Sequence, residues 1–146
     1  MSHSFYKIWL HVIFSTKNRE PMITHDKKEM IYNYITGQLW EAGCPVRIIN
    51  GMPDHAHLLF LENPQKSISE IVKQIKGSSS HWINQEKIIQ TQFAWQTGYG
   101  VFSVSESQLG KVYNYIKNQK EHHKKKTFQQ EFDEFMKYHN VFPGGE

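Results

Sequence analysis

Apolar positions repeat with a period of two in four stretches of the chain, which predicts four β-strands. In the first stretch, residues 6–15, the alternation separates a face of Ile8, Leu10, Val12 and Phe14 from a face of Lys7, Trp9, His11 and Ile13. The other strands are predicted over residues 46–50, 54–61 and 98–105. A turn at residues 51–53 joins the second strand to the third.

Apolar residues at helical spacing predict four helices, over residues 26–42, 67–83, 108–123 and 128–138. Each of the first two begins with a polar residue followed three positions later by a glutamate, as in a capping box. These pairs are Asp26 with Glu29, and Ser67 with Glu70. The helix starts are therefore predicted from local hydrogen bonding as well as from the apolar pattern.

The order strand, helix, strand, strand, helix, strand is that of the split βαβ, ferredoxin-like fold. Such a fold is an α+β arrangement in which helices cover one face of an antiparallel sheet. Here the C-terminal helices follow in addition, and we expect the other face of the sheet to stay open for a site. The chain has 146 residues, which is the length expected of a single domain over residues 1–146.

Composition restricts the classes of protein that fit. Hydrophobic residues make up 38% of the chain and charged residues 21%, a balance typical of a folded, soluble protein. Cys44 is the single cysteine, so an internal disulfide is excluded and a reducing cytoplasm is expected. The apolar run over residues 8–14 is interrupted by His11 and is too short to span a bilayer, so neither a signal peptide nor a membrane segment is predicted.

The formal charge of +3 permits nucleic-acid binding but does not require it. The charge is concentrated in a basic run of His122, His123, Lys124, Lys125 and Lys126, which follows Lys117 and Lys120. A solvated helix end explains such a run equally well.

Two histidines stand two positions apart on the third predicted strand. His55 and His57 therefore point to one face, while Ala56, Leu58 and Phe60 point to the other, towards the helix-covered core. Two imidazoles side by side can bind one metal ion. A pair of exposed strand histidines is the alternative reading of the same pattern.

The predicted helix over residues 108–123 carries a polar strip beside its apolar stripe. Tyr115, Gln119 and His122 share this strip, whereas Tyr113 belongs to the buried stripe with Ile116. Helix periodicity thus favours Tyr115 over Tyr113 as a chemically active tyrosine. An amphipathic packing role for Tyr115 is the alternative.

Residues 95–105 place Trp95, Tyr99 and Phe102 among Gly98 and Gly100. Aromatic side chains can stack on bases, and glycines let a backbone approach a ligand closely. A bulged strand entry would have the same composition. The spacing alone does not decide between these readings.

Three segments occur in a characteristic order: Pro53 to Leu59, Trp95 to Ser105, and Tyr115 to Gln119 with the histidines that follow. Together they resemble the single-tyrosine HUH transposases of the insertion-sequence 200/605 type, in which HUH denotes His, hydrophobic, His. The resemblance extends over nearly the whole chain, up to the basic run.

The resemblance implies an enzyme that cuts and rejoins single-stranded DNA at the ends of a mobile element, after recognising hairpins near those ends. Tyr115 matches the nucleophile, which becomes linked to a 5′ phosphate. His55, His57 and Gln119 match the ligands of Mg²⁺ or Mn²⁺. The family works as a dimer, in which the tyrosine helix can serve the partner's metal site, and no nucleotide cofactor is implied.

The roles of the surrounding residues follow less directly. Asp54 and His122 are predicted to orient the metal ligands without binding the metal themselves. Asp54 could equally be a turn residue. Contacts with DNA are predicted for five residues: Lys73, Lys76, Tyr99, Lys117 and Lys120. Each of the four lysines could instead be a solubilising surface residue.

Several other functions remain open on the same residues. One is a non-catalytic module that binds single-stranded nucleic acid on the open sheet. Another is a metal hydrolase in which water attacks and Tyr115 only packs, and a third is a domesticated relative that processes chromosomal repeat hairpins. A nuclease built on three carboxylates is disfavoured because, among the aspartates Asp26, Asp54 and Asp133, only Asp54 lies near an apolar strand.

Overall fold

Four antiparallel strands form one sheet in the computed structural model, which describes residues 3–122 and 126–138. The strands are β1 (Trp9–Ser15), β2 (Val46–Met52), β3 (His55–Leu61) and β4 (Gly100–Val104), in the spatial order β2-β3-β1-β4. The helices are α1 (Lys28–Glu41), α2 (Ile68–Gln85), α3 (Leu109–Lys117), α4 (Gln119–His122) and α5 (Phe128–Tyr138). This topology confirms the ferredoxin-like prediction.

The main core lies between the sheet and the pair α1 and α2. The apolar face of β1 and the alternate residues Ala56, Leu58 and Phe60 of β3 pack there against Ile35 and Ile75 of the two helices. The predicted strand faces are thereby confirmed. Since successive strand residues point in opposite directions, His55 and His57 must lie on the other side of the sheet.

The second face of the sheet differs from the expectation that it stays open. Helices α3 to α5 lie against it, and they bury Ile116, Gln119 and Glu131. The reason is visible in β3, whose first six residues are buried, so both faces of this strand need a cover. Among the described residues, no helix is both long and apolar enough to cross a membrane.

Two local predictions need correction. The first strand begins at Trp9, because residues 3–8 are exposed and run ahead of the sheet. Helix α1 begins at Lys28 without a side-chain cap, since the carboxylate of Asp26 bonds to Thr24 instead. The second predicted cap is present: the Ser67 hydroxyl accepts a hydrogen bond from the backbone N–H of Glu70.

The predicted helix over residues 108–123 is divided into α3 and α4. Asn118 leaves the helical conformation, with φ −99° and ψ 28°. The amide of Asn50 on β2 donates to the carbonyl oxygens of Ile116 and Lys117, at 3.0 and 3.1 Å. These carbonyls therefore have a partner at the end of the helix, and the chain can turn there and direct Gln119 towards the sheet.

The end of β2, next to the turn into β3, generates a stability prediction. An added Cβ at Gly51 would overlap the carbonyl oxygen of His55 and lie 2.9 Å from the Tyr32 hydroxyl oxygen. Gly51→Ala should therefore lower the free energy of unfolding in urea by about 1–3 kcal/mol.

The matched control is Gly37→Ala in α1, where nothing lies within 4 Å of the added atom. That substitution should raise the free energy of unfolding by about 0.5–1 kcal/mol, because alanine favours the helix. Equal effects of the two substitutions would show that Gly51 is not held in close contact.

Candidate metal and tyrosine site

The two histidines of β3 are buried side by side. His55 and His57 are each 0% exposed, and their ring centroids are 5.1 Å apart with nearly perpendicular planes. The alternative reading as exposed strand histidines is therefore wrong. A buried imidazole needs partners for both ring nitrogens, so the surrounding groups define what this pair can do.

Each histidine makes a hydrogen bond through its Nδ1 atom, which fixes the orientation of the ring. His55 Nδ1 lies 2.8 Å from Asp54 Oδ1, and His57 Nδ1 lies 2.9 Å from Nε2 of His11 on β1. The rings of His11 and His57 also stack, with centroids 5.1 Å apart. Both Nε2 atoms consequently face the space beneath α4 and α5, which is the orientation that metal-binding histidines adopt.

His11 was not assigned a role by the sequence, although its signal was present. Strand alternation places His11 on the face away from the core. The register pairs His57 with Ile13, which lies two residues after His11 on the same face of β1. The register between β1 and β3 is a tertiary property. Without it, His11 could not be assigned to His57.

The amide of Gln119 reaches the same space from α4. Its Oε1 atom lies 3.1 Å from His55 Nε2, and the side chain is fully buried. An amide oxygen and an imidazole nitrogen both offer electron pairs to a cation. The predicted ligands Gln119 and His55 are therefore in direct contact.

Glu131 of α5 also reaches this space, although the sequence did not single it out. Its Oε1 atom lies 3.0 Å from His57 Nε2 and 3.6 Å from His55 Nε2. His55, His57 and Glu131 each offer a ligand atom within 4.8 Å of the others, which is close enough to hold one metal ion. The available signal was a carboxylate on an apolar stripe, since Glu131 lies between Phe128 and Phe132 on an amphipathic helix.

Burial changes the protonation of Glu131. Its side chain is only 3% exposed, and this burial raises the pKa of the carboxyl to about 7, although the nearby His55 lowers it. The charges of Glu134 and Asp54 raise it further.

Tyr115 stands at the edge of the same cluster. Its hydroxyl donates a hydrogen bond to Glu131 Oε2, and its ring centroid lies 5.8 Å from that of His57. Tyr113 instead packs under the guanidinium of Arg47, 4.3 Å from its ring centroid. The structure thus brings together His55, His57, Gln119 and Tyr115, and leaves Tyr113 outside.

A cleft of about 480 Å³ leads to Tyr115 and Glu131 along β4 and α3. Phe102 and His11 lie on its sheet side, and Lys111 lies on its helix side. A larger groove of about 850 Å³ runs along residues 88–94 and includes none of the clustered residues. We therefore regard the smaller cleft as the approach to the site.

The predicted DNA-contacting residues are divided between the two faces of the sheet. Lys117 and Lys120 are exposed on the side of the site, whereas Lys73 and Lys76 belong to α2 on the opposite side. The Lys76 ammonium donates to the carbonyls of Gln96 and Gly98, and Tyr99 is 40% exposed nearby. The His122 side chain and residues 123–125 of the basic run lie outside the described residues.

A family model described as "Transposase IS200 like" matches residues 4–119. The chain therefore belongs to the IS200-like transposase family. It is 25% identical to the ISDra2 transposase TnpA of Deinococcus radiodurans, covering 78% of this chain and 85% of that protein. It is 27% identical to the transposase of the insertion sequence IS200 of Salmonella typhimurium, covering 85% of this chain and 84% of that protein.

Two solved structures share the fold. One is a transposase from Deinococcus radiodurans, with a TM-score of 0.65 and 26% identity over 82% of this chain and 95% of that one. The other is a REP-associated tyrosine transposase bound to a REP hairpin, with a TM-score of 0.58 and 13% identity over 80% of this chain and 70% of that one. At this lower identity, the second likeness concerns the fold alone.

The raised pKa of Glu131 predicts how stability depends on pH in the absence of metal. The folded protein prefers the protonated carboxyl, so this contribution to stability is complete below the ordinary value of 4.5 and is lost as the pH rises towards 7. Between about pH 5 and pH 7, wild-type protein in chelator should lose up to about 1.4 kcal/mol per pH unit relative to Glu131→Gln.

Urea unfolding across the pH range measures this difference. Asp133→Asn is the control, since Asp133 is exposed on the same helix and accepts its hydrogen bond from Gln129, and the variant should follow wild type. Parallel curves for wild type and Glu131→Gln would contradict burial of the carboxyl.

Proposed function

We propose that the protein is a transposase that cleaves and rejoins single-stranded DNA through a covalent 5′-phosphotyrosine on Tyr115. A divalent metal would polarise the scissile phosphate. The observation that carries the proposal is the hydroxyl of Tyr115 in the same cluster as two buried histidines and an amide. Membership of the IS200-like family supports the DNA substrate.

The donor set fits a metal ion. His55 and His57 offer Nε2 atoms that are oriented from behind, and Gln119 offers its amide oxygen. We propose Mg²⁺ or Mn²⁺ as the ion, with its coordination completed by oxygen atoms of water and DNA. When bound, the ion would stabilise the negative charge that develops on the phosphate.

Tyr115 would supply the nucleophile. A tyrosine with an ordinary pKa near ~10 attacks poorly, so its hydroxyl must be oriented and activated. The Glu131 carboxylate accepts the hydroxyl hydrogen bond and fixes its direction. The phenolic oxygen then forms a bond to phosphorus and loses its proton, while the 3′ oxygen of the DNA leaves and gains one.

Rejoining reverses these roles. The phosphotyrosine bond retains the energy of the broken phosphodiester, so a 3′ hydroxyl of DNA can attack it and release Tyr115. No nucleotide cofactor is required. The retained bond energy distinguishes strand transfer from hydrolysis, in which water would release a 5′ phosphate.

We further propose that the substrate carries hairpins and that the protein acts as a homodimer. A relative in fold is bound to a REP hairpin, which supports hairpin recognition and keeps a domesticated relative acting on chromosomal repeats as the second candidate. A non-catalytic binding module has less support. It would not need two histidines, an amide and a carboxylate buried together.

The decisive experiment uses end-labelled single-stranded DNA from the regions that flank the gene, incubated with Mn²⁺. Wild type should form a protein–DNA adduct that survives denaturation. Tyr115→Phe should form none, because the phenolic oxygen is absent. Tyr113→Phe is the matched control and should keep the adduct, since Tyr113 packs against Arg47 outside the cluster.

Adduct formation by Tyr115→Phe would disprove the assigned nucleophile. Cleavage by wild type without any adduct would favour the metal hydrolase in which water attacks.

The hydrogen bond between His11 Nε2 and His57 Nδ1 generates a separate prediction. His11→Phe keeps a ring stacked on His57 but removes the partner of Nδ1, so His57 loses its fixed orientation. The affinity of the His11→Phe variant for Mn²⁺ should fall by about 10-fold or more in calorimetric titration.

His81→Phe, on the exposed side of α2, is the control and should bind Mn²⁺ as wild type does. Unchanged affinity in His11→Phe would mean that His11 only fills space.

A further inference from the structure

Glu131 contacts both halves of the site at once. Oε1 faces the two histidine Nε2 atoms at 3.0 and 3.6 Å. Oε2 accepts hydrogen bonds from the Tyr115 hydroxyl and from Gln119 Nε2, the latter at 3.2 Å. The family match ends at residue 119, so this carboxylate comes from a part of the chain beyond it.

The position of Glu131 is fixed by aromatic packing of α5. The Phe128 ring lies 4.4 Å from the His55 ring, centroid to centroid, and the Phe132 ring lies so close to β4 that a Cβ on Gly100 would come within 3.2 Å of it. These contacts hold the helix against the sheet on either side of Glu131. The carboxylate is therefore presented to the site by the helix.

A purely structural role fits these contacts poorly. Burying a carboxylate is costly unless strong partners compensate, and an isosteric amide would satisfy the same packing at lower cost. The hydrogen bonds of Glu131 include those with the proposed metal ligands and with the proposed nucleophile. A divalent cation between His55, His57 and Oε1 would supply the compensating charge.

We propose that Glu131 bridges the metal and the nucleophile: Oε1 binds the ion beside His55 and His57, while Oε2 holds the Tyr115 hydroxyl. The proposal rests on the proposed function and deepens it. Metal binding and placement of the nucleophile then depend on one carboxylate. The bridge also changes the charge of the centre, because neutral ligands alone leave the ion with its full charge and bind it weakly.

Calorimetric titration with Mn²⁺ tests the first half of the bridge on the full chain. Glu131→Gln keeps the size of the side chain but removes the charge, and its affinity should fall at least about 10-fold. Glu131→Asp keeps the charge on a shorter side chain and should be intermediate. Asp133→Asn, at an exposed position of the same helix, should match wild type.

His57→Ala separates this inference from the proposed function. If His57→Ala loses Mn²⁺ binding and Glu131→Gln keeps it, the bridge is wrong and the histidine site stands. If His57→Ala binds Mn²⁺ as tightly as wild type, or if wild type binds none, the proposed metal site fails and the bridge fails with it.

Nuclear magnetic resonance with ¹³Cζ-labelled tyrosine tests the second half. Tyr115→Phe identifies the Tyr115 resonance, and Tyr113→Phe identifies the control. Saturating Mg²⁺ should move the Tyr115 resonance in wild type and leave Tyr113 in place. In Glu131→Gln, the Mg²⁺-induced shift at saturation should be less than half as large.

An undiminished Tyr115 shift in Glu131→Gln would overturn the bridge. Cooperative thermal melting of each variant establishes that a lost shift reflects the missing carboxylate and not an unfolded chain.

Discussion

Burial of polar side chains is the constraint on which this site depends. Five of them lie on the second face of the sheet with at most 2% of their surface exposed: His11, His55, His57, Gln119 and Glu131. Water cannot satisfy groups placed so deeply, so each must find its partner within the protein. The result is a connected network in which every described contact orients another member. Such a network is stable only as a whole, which explains why several separate elements converge on one point.

The two sides of the sheet have different tasks. One side carries the apolar core with α1 and α2, and that core fixes the register between β1 and β3. The register in turn sets the distance between His11 and His57. The other side uses the rigid sheet as a platform for charged and polar groups. Side chains supported on strands are held more precisely than side chains on loops.

The C-terminal helices bring the remaining side chains of the candidate site to this platform. The end of α3 is capped by Asn50, so the chain turns and carries Gln119 beneath the histidines, while Tyr115 stays at the rim. Helix α5 then adds Glu131 from beyond the region that the family match covers. The match to the family model over residues 4–119 therefore includes the two histidines, the tyrosine and the amide, whereas the carboxylate lies beyond it.

Local pattern determined much of this protein. Alternation within β3 was enough to place His55 and His57 together, and helix spacing was enough to separate Tyr115 from Tyr113, because both properties depend only on backbone geometry. The order of the elements likewise predicted the sheet. Tertiary structure decided what no periodicity encodes: the break after α3, the cover over the second face, and the meeting of His11 and Glu131 with His57 across 46 and 74 residues of sequence. Contacts at such separation are set by strand register and helix docking, which arise only when the whole chain packs.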